Sequence, residues 1–404
     1  MITRSFYYNK NMKHTKNNHF VPQGYLKKFF DENHCIYKCD LENSSKIYEV
    51  TDIKKECCKR NLYTVKNKIT YNEIEYFCQI AGFNDEVEIN FCKRICDYIN
   101  GDYSNFISEI CLSGIPKAYW PVFMDYIKGF VNDKFISKSQ ENIFTAVYEN
   151  DFFNILNQII ESESTDFIKN NVDLSKISLC LYAKLEGFLH TSALKIIYLK
   201  MKEEHPNLPS IKEYEEKIKK LKYNTNMYLN LIHYLIIQYF RTEKQINNLK
   251  NSLLYLKKQW KEKFINIALP DYIEKFIEMN EESFIFIFLH LRSIYLVEYL
   301  INSGYKLILL KNNTETPFIT SDSPCINIFA SYINSFELQG DDFEIYFPIS
   351  PTLALLYTNR KGYKDTKKTK ITLNDKNTIL QFNKSIKKLA KRYLYSNQKS
   401  ILVI

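Results

Sequence analysis

The stretch Met227–Phe240, MYLNLIHYLIIQYF, is almost wholly apolar and contains no Asp, Glu, Lys or Arg. A helix that is apolar on every side is a buried one, so this stretch predicts a central buried helix. Around it, from about residue 71 to residue 301, apolar residues recur at intervals of three or four, which is the spacing of amphipathic helices. The sequence therefore predicts a large helical region built about residues 227–240.

Short β-prone runs flank the helical region on both sides. Near the N-terminus, Cys35–Cys39 and Lys46–Val50 are separated by a turn-rich segment and predict a hairpin. Further short runs follow Gly304, and Asn377–Tyr395 then returns to helical spacing. We predict an α+β fold that is predominantly helical. Short strands near the N-terminus and in the C-terminal third form a small mixed sheet, around which the large helical region packs.

These changes of pattern divide the chain into three predicted regions. Residues 1–70 hold an N-terminal helix and the hairpin, and residues 71–303 hold the helical region. Residues 304–404 hold the strand-rich C-terminal region with a basic closing helix. We expect the two ends of the chain to form one unit.

The composition excludes several classes of protein. The 404 residues include only 9 glycines, and neither of the common glycine-rich phosphate loops of nucleotide enzymes occurs. The ten cysteines form no C-x-x-C pair, so a zinc ribbon is not favoured and no metal ligands are assigned. No signal peptide is visible, and the longest apolar run, 284–289, is too short to cross a bilayer. We therefore expect a cytoplasmic protein with no membrane partner and reduced thiols.

The formal charge of +9 is concentrated at the two ends of the chain. Residues 1–30 carry +6, residues 351–404 carry +11, and the segment between them carries −8. Such asymmetry is typical of proteins that bind a polyanion or an acidic partner surface. A lysine-rich end that only solvates the surface is the alternative.

Four separate segments of the chain together resemble the sequence pattern of a known family. They are HFVPQGYLKKF at 19–29, QYFRT at 238–242, FITSDSP at 318–324 and FPISP at 347–351, with Asn383 in the closing helix. This set resembles the bacterial family catalogued as domain of unknown function 4238, over residues 14 to about 400. The middle segment departs from the family pattern, because Glu243 stands where a proline often follows. The resemblance implies that these polar residues belong together. Because some members lie near defence or mobile genes, it also favours a role directed at nucleic acid.

Three polar residues in these segments are candidates for catalysis. His19 precedes a helix whose first helical position we predict at Pro22, where an imidazole can act as general acid or base. Arg241 ends the most apolar helix and would clamp a phosphate or carboxylate. Asp322, at the exit of a strand, would orient a histidine, bind a metal ion or accept a proton.

Each candidate also has a structural interpretation, which the sequence leaves open. His19 would serve as a helix cap or a hydrogen-bonded histidine. Arg241 would bond the last carbonyls of its helix or pair with a carboxylate, since a lone buried charge is costly. Asp322 would form an Asx turn with the backbone two residues on.

The candidate binding residues are polar side chains of the same segments and the lysines of the closing helix: Gln23, Ser321, Asn383, Lys384, Lys387, Lys388 and Lys391. The lysines would contact phosphates, with Tyr393 and Tyr395 available to stack on bases; a solvated face is the alternative. We predict a nuclease-like phosphodiesterase, acting as a toxin or phage-defence effector. The alternative is a non-catalytic module that binds nucleic acid or protein. The cofactor is unknown, and a divalent metal ion stays open, as does the oligomeric state.

Overall fold

The computed structural model describes residues 17–43, 45–60, 62, 69–81, 86–100, 144–185, 202, 206, 226–263, 271–279, 281–331, 343–364 and 368–403. The first sixteen residues, which carry four of the six basic side chains of the N-terminal segment, lie outside this description.

The predicted central helix is confirmed with the bounds that the sequence suggested. It spans Met227–Phe240, and eleven of its fourteen residues are buried. The helix begins at Asn226, whose side chain accepts a hydrogen bond from the backbone N–H of Tyr228. It ends at Arg241, the first residue that is charged.

The helices of the described residues lie mainly between residues 71 and 302, as the helical spacing predicts. Those that lie wholly within the described residues are α1 (Gln23–Leu26), α2 (Tyr71–Ala81), α3 (Glu86–Asn100), α4 (Asn150–Ser162), α5 (Met227–Phe240), α6 (Glu243–Lys263), α7 (Asp271–Glu278), α8 (Glu281–Asn302), α9 (Lys361–Lys364) and α10 (Lys376–Leu389). A π-helical turn, Phe144–Glu149, leads directly into α4. The central helix α5 packs against α4, α8 and this turn.

The strands are short, and most lie at the two ends of the chain. They are β1 (Asn17–His19), β2 (Ile36–Asp40), β3 (Lys46–Val50), β4 (Cys58–Arg60), β5 (Lys306–Asn312), β6 (Thr320–Ser321), β7 (Ile326–Asn327), β8 (Ile345–Pro348), β9 (Leu353–Thr358), β10 (Lys370–Leu373) and β11 (Tyr393–Ser396). The α+β class is therefore confirmed, and β2 and β3 form the predicted hairpin.

The strands form three sheets, and one of them joins the two ends of the chain. A five-stranded mixed sheet has the order β10-β5-β9-β8-β7, with β10 parallel to β5 and the other pairs antiparallel. A four-stranded antiparallel sheet has the order β3-β2-β11-β6, so the N-terminal hairpin pairs with the last strand. Strands β1 and β4 form a separate ribbon.

The five-stranded sheet is buried on both faces. In β9, Leu355 and Tyr357 belong to the large core that contains α5, whereas Ala354 and Leu356 belong to a smaller core beneath α10. Successive side chains of a strand point to opposite faces, so the sheet lies between the helical region and α10. This burial explains why β9 has a continuous apolar sequence instead of an alternating one.

The predicted closing helix is shorter than the sequence suggested. Its spacing predicted a helix over Asn377–Tyr395, but α10 ends at Leu389 and residues 393–396 form β11. Tyr395 is fully buried between β2 and β6, so the expectation that it is available to stack on bases is wrong. Among the described residues, no helix is long and apolar enough to cross a membrane.

A buried pair of histidines lies where α5, α8 and the π-helical turn meet. The Tyr148 hydroxyl lies 2.8 Å from Nδ1 of His290, and Nε2 of His233 lies 2.9 Å from Oγ of Ser293. Because the Ser293 hydroxyl donates to the backbone carbonyl of His290, Nε2 of His233 must carry the proton. Burial lowers the pKa of His290 from 6.5 to about 3 and the pKa of His233 well below 6.5. Both imidazoles are therefore neutral at neutral pH.

We expect these histidines to destabilise the fold in acid. Below about pH 6.5 the unfolded chain binds protons that the folded chain does not, so the free energy of unfolding decreases by about 1.4 kcal/mol per pH unit for each histidine. Replacing His290 with Phe should reduce the slope between pH 4 and 6 by about that amount, measured by urea unfolding. The same replacement at the exposed His34 serves as the control, and an unchanged slope in the His290 variant would contradict the expectation.

Candidate functional site

The four segments that carry the family resemblance meet in the folded chain. Nε2 of Gln238, in α5, donates a hydrogen bond of 2.9 Å to the backbone carbonyl of Phe20. The Tyr25 hydroxyl donates to the carbonyl of Pro348 at 2.6 Å and lies 2.7 Å from Oγ1 of Thr320. Segments that are hundreds of residues apart in the sequence are therefore held together by buried hydrogen bonds.

His19 lies at the end of β1, partly exposed, and pairs with Cys58 of β4. Its Nε2 lies 2.9 Å from the side-chain nitrogen of Gln23, which places the candidate binding residue Gln23 directly beside it. An amide nitrogen only donates, so Nε2 accepts and the ring proton is on Nδ1. Burial lowers the pKa of His19, and nearby Arg241 lowers it further, while the Glu56 carbonyl and the Glu149 carboxylate act in the opposite direction. The imidazole is therefore in its neutral form at neutral pH, with its Nε2 lone pair directed at the Gln23 amide.

Arg241 is fully buried and already carries an anionic partner. Its Nη1 donates to a carboxylate oxygen of Glu149 at 2.7 Å, and its Nε donates to Oε1 of Gln238 at 2.9 Å. The guanidinium also lies over the ring of Phe144, 5.3 Å from its centre. Of the two interpretations that the sequence left open, these contacts favour the structural pairing, and the role as a phosphate clamp stays a prediction.

Asp322 uses both carboxylate oxygens to hold the backbone that follows α10. The oxygens accept hydrogen bonds of 2.8, 2.8 and 3.0 Å from the backbone N–H groups of Lys391, Arg392 and Tyr393. Burial raises the pKa of Asp322, and the three N–H groups together with the charge of Lys391 oppose this rise. Because three backbone donors hold the carboxylate, the geometry supports a structural role, and its catalytic role stays a prediction.

Two further candidates, Ser321 and Asn383, are buried and bonded to the backbone. Oγ of Ser321 accepts from the N–H of Ser323 at 3.0 Å. The Asn383 amide accepts from the N–H of Ile319 at 3.0 Å and donates to the carbonyl of Pro317 at 2.9 Å. Asn383 therefore ties α10 to the segment that leads into β6, and the binding role predicted for both residues stays untested.

The lysines of the closing helix lie mostly at the surface. Lys384 and Lys388, four residues apart on α10, are exposed, whereas Lys387 is half-buried near Cys39. Lys391 lies just beyond the helix, and its Nζ is 2.6 Å from an oxygen of Glu243. Nζ of Lys59, from β4, lies 2.5 Å from the same oxygen. A lysine of the basic C-terminal end and a lysine of β4 therefore meet at one carboxylate.

The sequence did not identify Glu149, Lys59 or Glu243 as members of this region. Glu149 is 92 residues from Arg241 in the sequence, and Lys59 is 184 residues from Glu243. In the sequence, the only indication of an ionic partner was Arg241. A buried arginine requires a carboxylate partner, but the sequence does not show which carboxylate it is.

No group of three or more histidine, cysteine or acidic side chains that could hold a metal ion occurs among the described residues. The nine cysteines in that part of the chain are free thiols.

Comparison with known proteins places the chain in one family. The family model described as "Protein of unknown function (DUF4238)" matches residues 17–400. No curated protein and no solved structure matches the chain.

We expect Asp322→Asn to destabilise the fold. An asparagine keeps one acceptor oxygen but turns an N–H group toward backbone donors, so the free energy of unfolding should decrease by about 2 to 4 kcal/mol. Glu161→Gln, at an exposed position of α4, is the control and should change it by about 0.5 kcal/mol or less. Urea unfolding measures both values. A variant of normal stability that has lost an activity would instead support the catalytic role of Asp322.

Proposed function

This chain belongs to the DUF4238 family, whose description assigns no activity, and we propose that it binds nucleic acid through the phosphate backbone. The binding surface consists of Lys384 and Lys388 on α10 together with Lys391 and Lys59. We name these four residues the lysine surface. We further propose that the protein acts in the cytosol, where free thiols persist.

The observation that carries this proposal is the shared contact of Lys59 and Lys391 with Glu243. Two ammonium groups and one carboxylate leave a net positive charge, and the lysine side chains remain 49% and 34% exposed. The exposed Lys384 and Lys388 lie on the helix that leads to Lys391. Lysines are compact point charges without the planar fork of arginine, so the surface suits phosphates and not base edges.

The neighbouring Arg392 contributes less to such a surface. Its Nη2 lies 2.8 Å from a carboxylate oxygen of Asp40, and its Nε lies 3.2 Å from an oxygen of Glu42. Its charge is therefore matched within the fold, and we leave it out of the lysine surface.

The binding proposal predicts an affinity that depends strongly on salt. Each lysine that contacts a phosphate changes the slope of log K against log salt by about 1, so replacing Lys384, Lys388 and Lys391 with Ala should reduce the slope by about 3. Fluorescence anisotropy with labelled RNA and DNA at 50 to 200 mM salt measures this slope. The control is the triple Ala variant of Lys258, Lys261 and Lys263, which are exposed on α6.

Several outcomes would contradict the proposal. An equal loss of affinity in both triple variants would show that the chain attracts polyanions without a defined surface. Binding to an acidic polypeptide but to neither RNA nor DNA would favour an acidic protein partner.

A second candidate function, hydrolysis of a phosphodiester, is supported by the position of His19. In the β1–β4 ribbon, His19 pairs with Cys58 and Asn17 pairs with Arg60, so His19 and the exposed Arg60 lie on the same face. An arginine at that position suits a bound phosphate, and the neutral imidazole of His19 is in the form that accepts a proton. This activity would agree with the role of a toxin or phage-defence effector.

If His19 is the general base, His19→Asn should reduce cleavage of labelled RNA or DNA by about 100-fold or more, with the fold intact by circular dichroism. The assay is run with and without Mg²⁺, and His34→Asn, at an exposed position, is the control. Cleavage that survives in the His19 variant would remove this residue from the mechanism. Binding without cleavage by the unaltered protein would leave the first candidate alone.

A further inference from the structure

Glu243 lies between two lysines of the lysine surface that come from distant parts of the chain. Nζ of Lys59, in β4, and Nζ of Lys391, just beyond α10, lie 2.5 and 2.6 Å from the same carboxylate oxygen, Oε1 of Glu243. Because both ammonium groups lie against one oxygen atom, they are also close to each other. Two positive charges at such a distance repel each other, so the space between them favours an anion.

The carboxylate of Glu243 supplies this anion, but it balances only one of the two positive charges. Burial raises the pKa of Glu243, and the hydrogen bonds and charges of Lys391 and Lys59 outweigh burial and hold the pKa below its ordinary value. The carboxylate is therefore ionised at neutral pH, and the three side chains together keep one positive charge. Phosphate oxygens accept charge-assisted hydrogen bonds from ammonium groups as carboxylate oxygens do, so a phosphate suits the same two lysines.

The two lysines are more exposed than the carboxylate that they hold. The side chain of Glu243 is 15% exposed, whereas the side chains of Lys59 and Lys391 are 49% and 34% exposed. An ammonium group has three N–H donors, which can be redirected by rotation about the last bond of the lysine side chain. The lysines are therefore open to an anion from the solvent, while the carboxylate is largely covered.

The backbone that carries these side chains is held by the fold. Glu243 is the first residue of the 21-residue helix α6, and the N–H of Lys391 donates to Oδ1 of Asp322 at 2.8 Å. Lys59 is the central residue of β4 and lies opposite Asn18 of β1. The fold therefore brings the two lysines to one place whatever side chain stands at position 243.

We propose that Glu243 occupies a phosphate site between Lys59 and Lys391 and competes with nucleic acid for it. This proposal rests on the proposed function, because it concerns the same lysine surface. A phosphate that binds there takes the two ammonium groups from the carboxylate, so the ion pairs of Glu243 form an autoinhibitory contact. The residue thereby determines how tightly the lysine surface holds a chain of phosphates.

The test compares the unaltered full chain with Glu243→Gln. Fluorescence anisotropy measures the affinity for labelled RNA and DNA, and isothermal titration calorimetry measures the affinity for inorganic tripolyphosphate. We expect the variant to bind these probes about fivefold more tightly, since the repulsion between two like charges about 4 Å apart in water corresponds to that factor. The slope of log K against log salt should become steeper by about 1, because one more lysine is free to contact a phosphate.

A second variant, Glu243→Pro, removes the carboxylate without adding an amide group. Proline suits the first position of a helix, where the N–H group has no partner within the helix, so this variant should fold, as circular dichroism checks. It should show the same gain in affinity as Glu243→Gln. A gain confined to the glutamine variant would overturn the proposal, because it would come from a new contact of the glutamine side chain.

A double-mutant cycle connects the gain to the two lysines. In a chain that carries Lys59→Ala and Lys391→Ala, replacing Glu243 with Gln should give no gain, because the phosphate site is absent. The matched control is Glu262→Gln, which removes one exposed negative charge near the other end of α6, about 30 Å away and beyond the range of unscreened interaction. An equal gain in the chain without the two lysines, or in the control, would be a general effect of net charge and would overturn the proposal.

The outcomes for Glu243 are separate from those for the proposed function. If Glu243→Gln binds tripolyphosphate more tightly while neither protein binds RNA or DNA, the phosphate site is supported and the nucleic-acid function is wrong. If binding of RNA or DNA depends on the lysine surface but Glu243→Gln gives no gain with any probe, the function is supported and the role of Glu243 is wrong.

Discussion

The bonds between Asp322 and the backbone of residues 391–393 determine how the two ends of the chain come together. The carboxylate accepts hydrogen bonds from three N–H groups immediately after α10. If the helix continued, these N–H groups would instead donate to carbonyl groups of the helix itself. The chain then turns into β11, which lies between β2 from the N-terminal hairpin and β6. The meeting of Lys391 with Glu243 and Lys59 follows from this turn. A single buried carboxylate thus fixes the turn into β11 and with it the backbone position of Lys391.

The parts of the fold that were predictable from the sequence are those with a local cause. The apolar run of α5 and its capping residue Asn226 lie side by side in the sequence, and the bounds of that helix were predicted correctly. The hairpin of β2 and β3 depends on two β-prone runs and the turn between them. The prediction of a helix over residues 390–395 was wrong. Their spacing fits a helix, but Asp322, about seventy positions away in the sequence, accepts hydrogen bonds from the backbone N–H groups at which the helix ends.

The candidate site shows the same difference between features with a local cause and features that depend on remote residues. Sequence patterns singled out His19, Arg241 and Asp322, and the family segments that contain them do meet in the fold. The ionic partners were not predictable, because Glu149 and Glu243 are remote in sequence from Arg241 and Lys59. Charge counting also overstated the basic end of the chain: Arg392 is matched by Asp40 and Glu42, which belong to the segment that the sequence described as mildly acidic.

The hydrogen bonds of two buried acids show what these side chains do for the fold. Asp322 and Asp40 are both buried, and each accepts hydrogen bonds on both oxygens. Asp322 holds the backbone that follows α10, and Asp40, at the end of β2, holds the side chain of Arg392, so the two carboxylates stabilise the same turn into β11. The acid that the sequence motifs emphasised therefore has a structural task, which is compatible with the catalytic role that stays a prediction, because a carboxylate has about four acceptor sites.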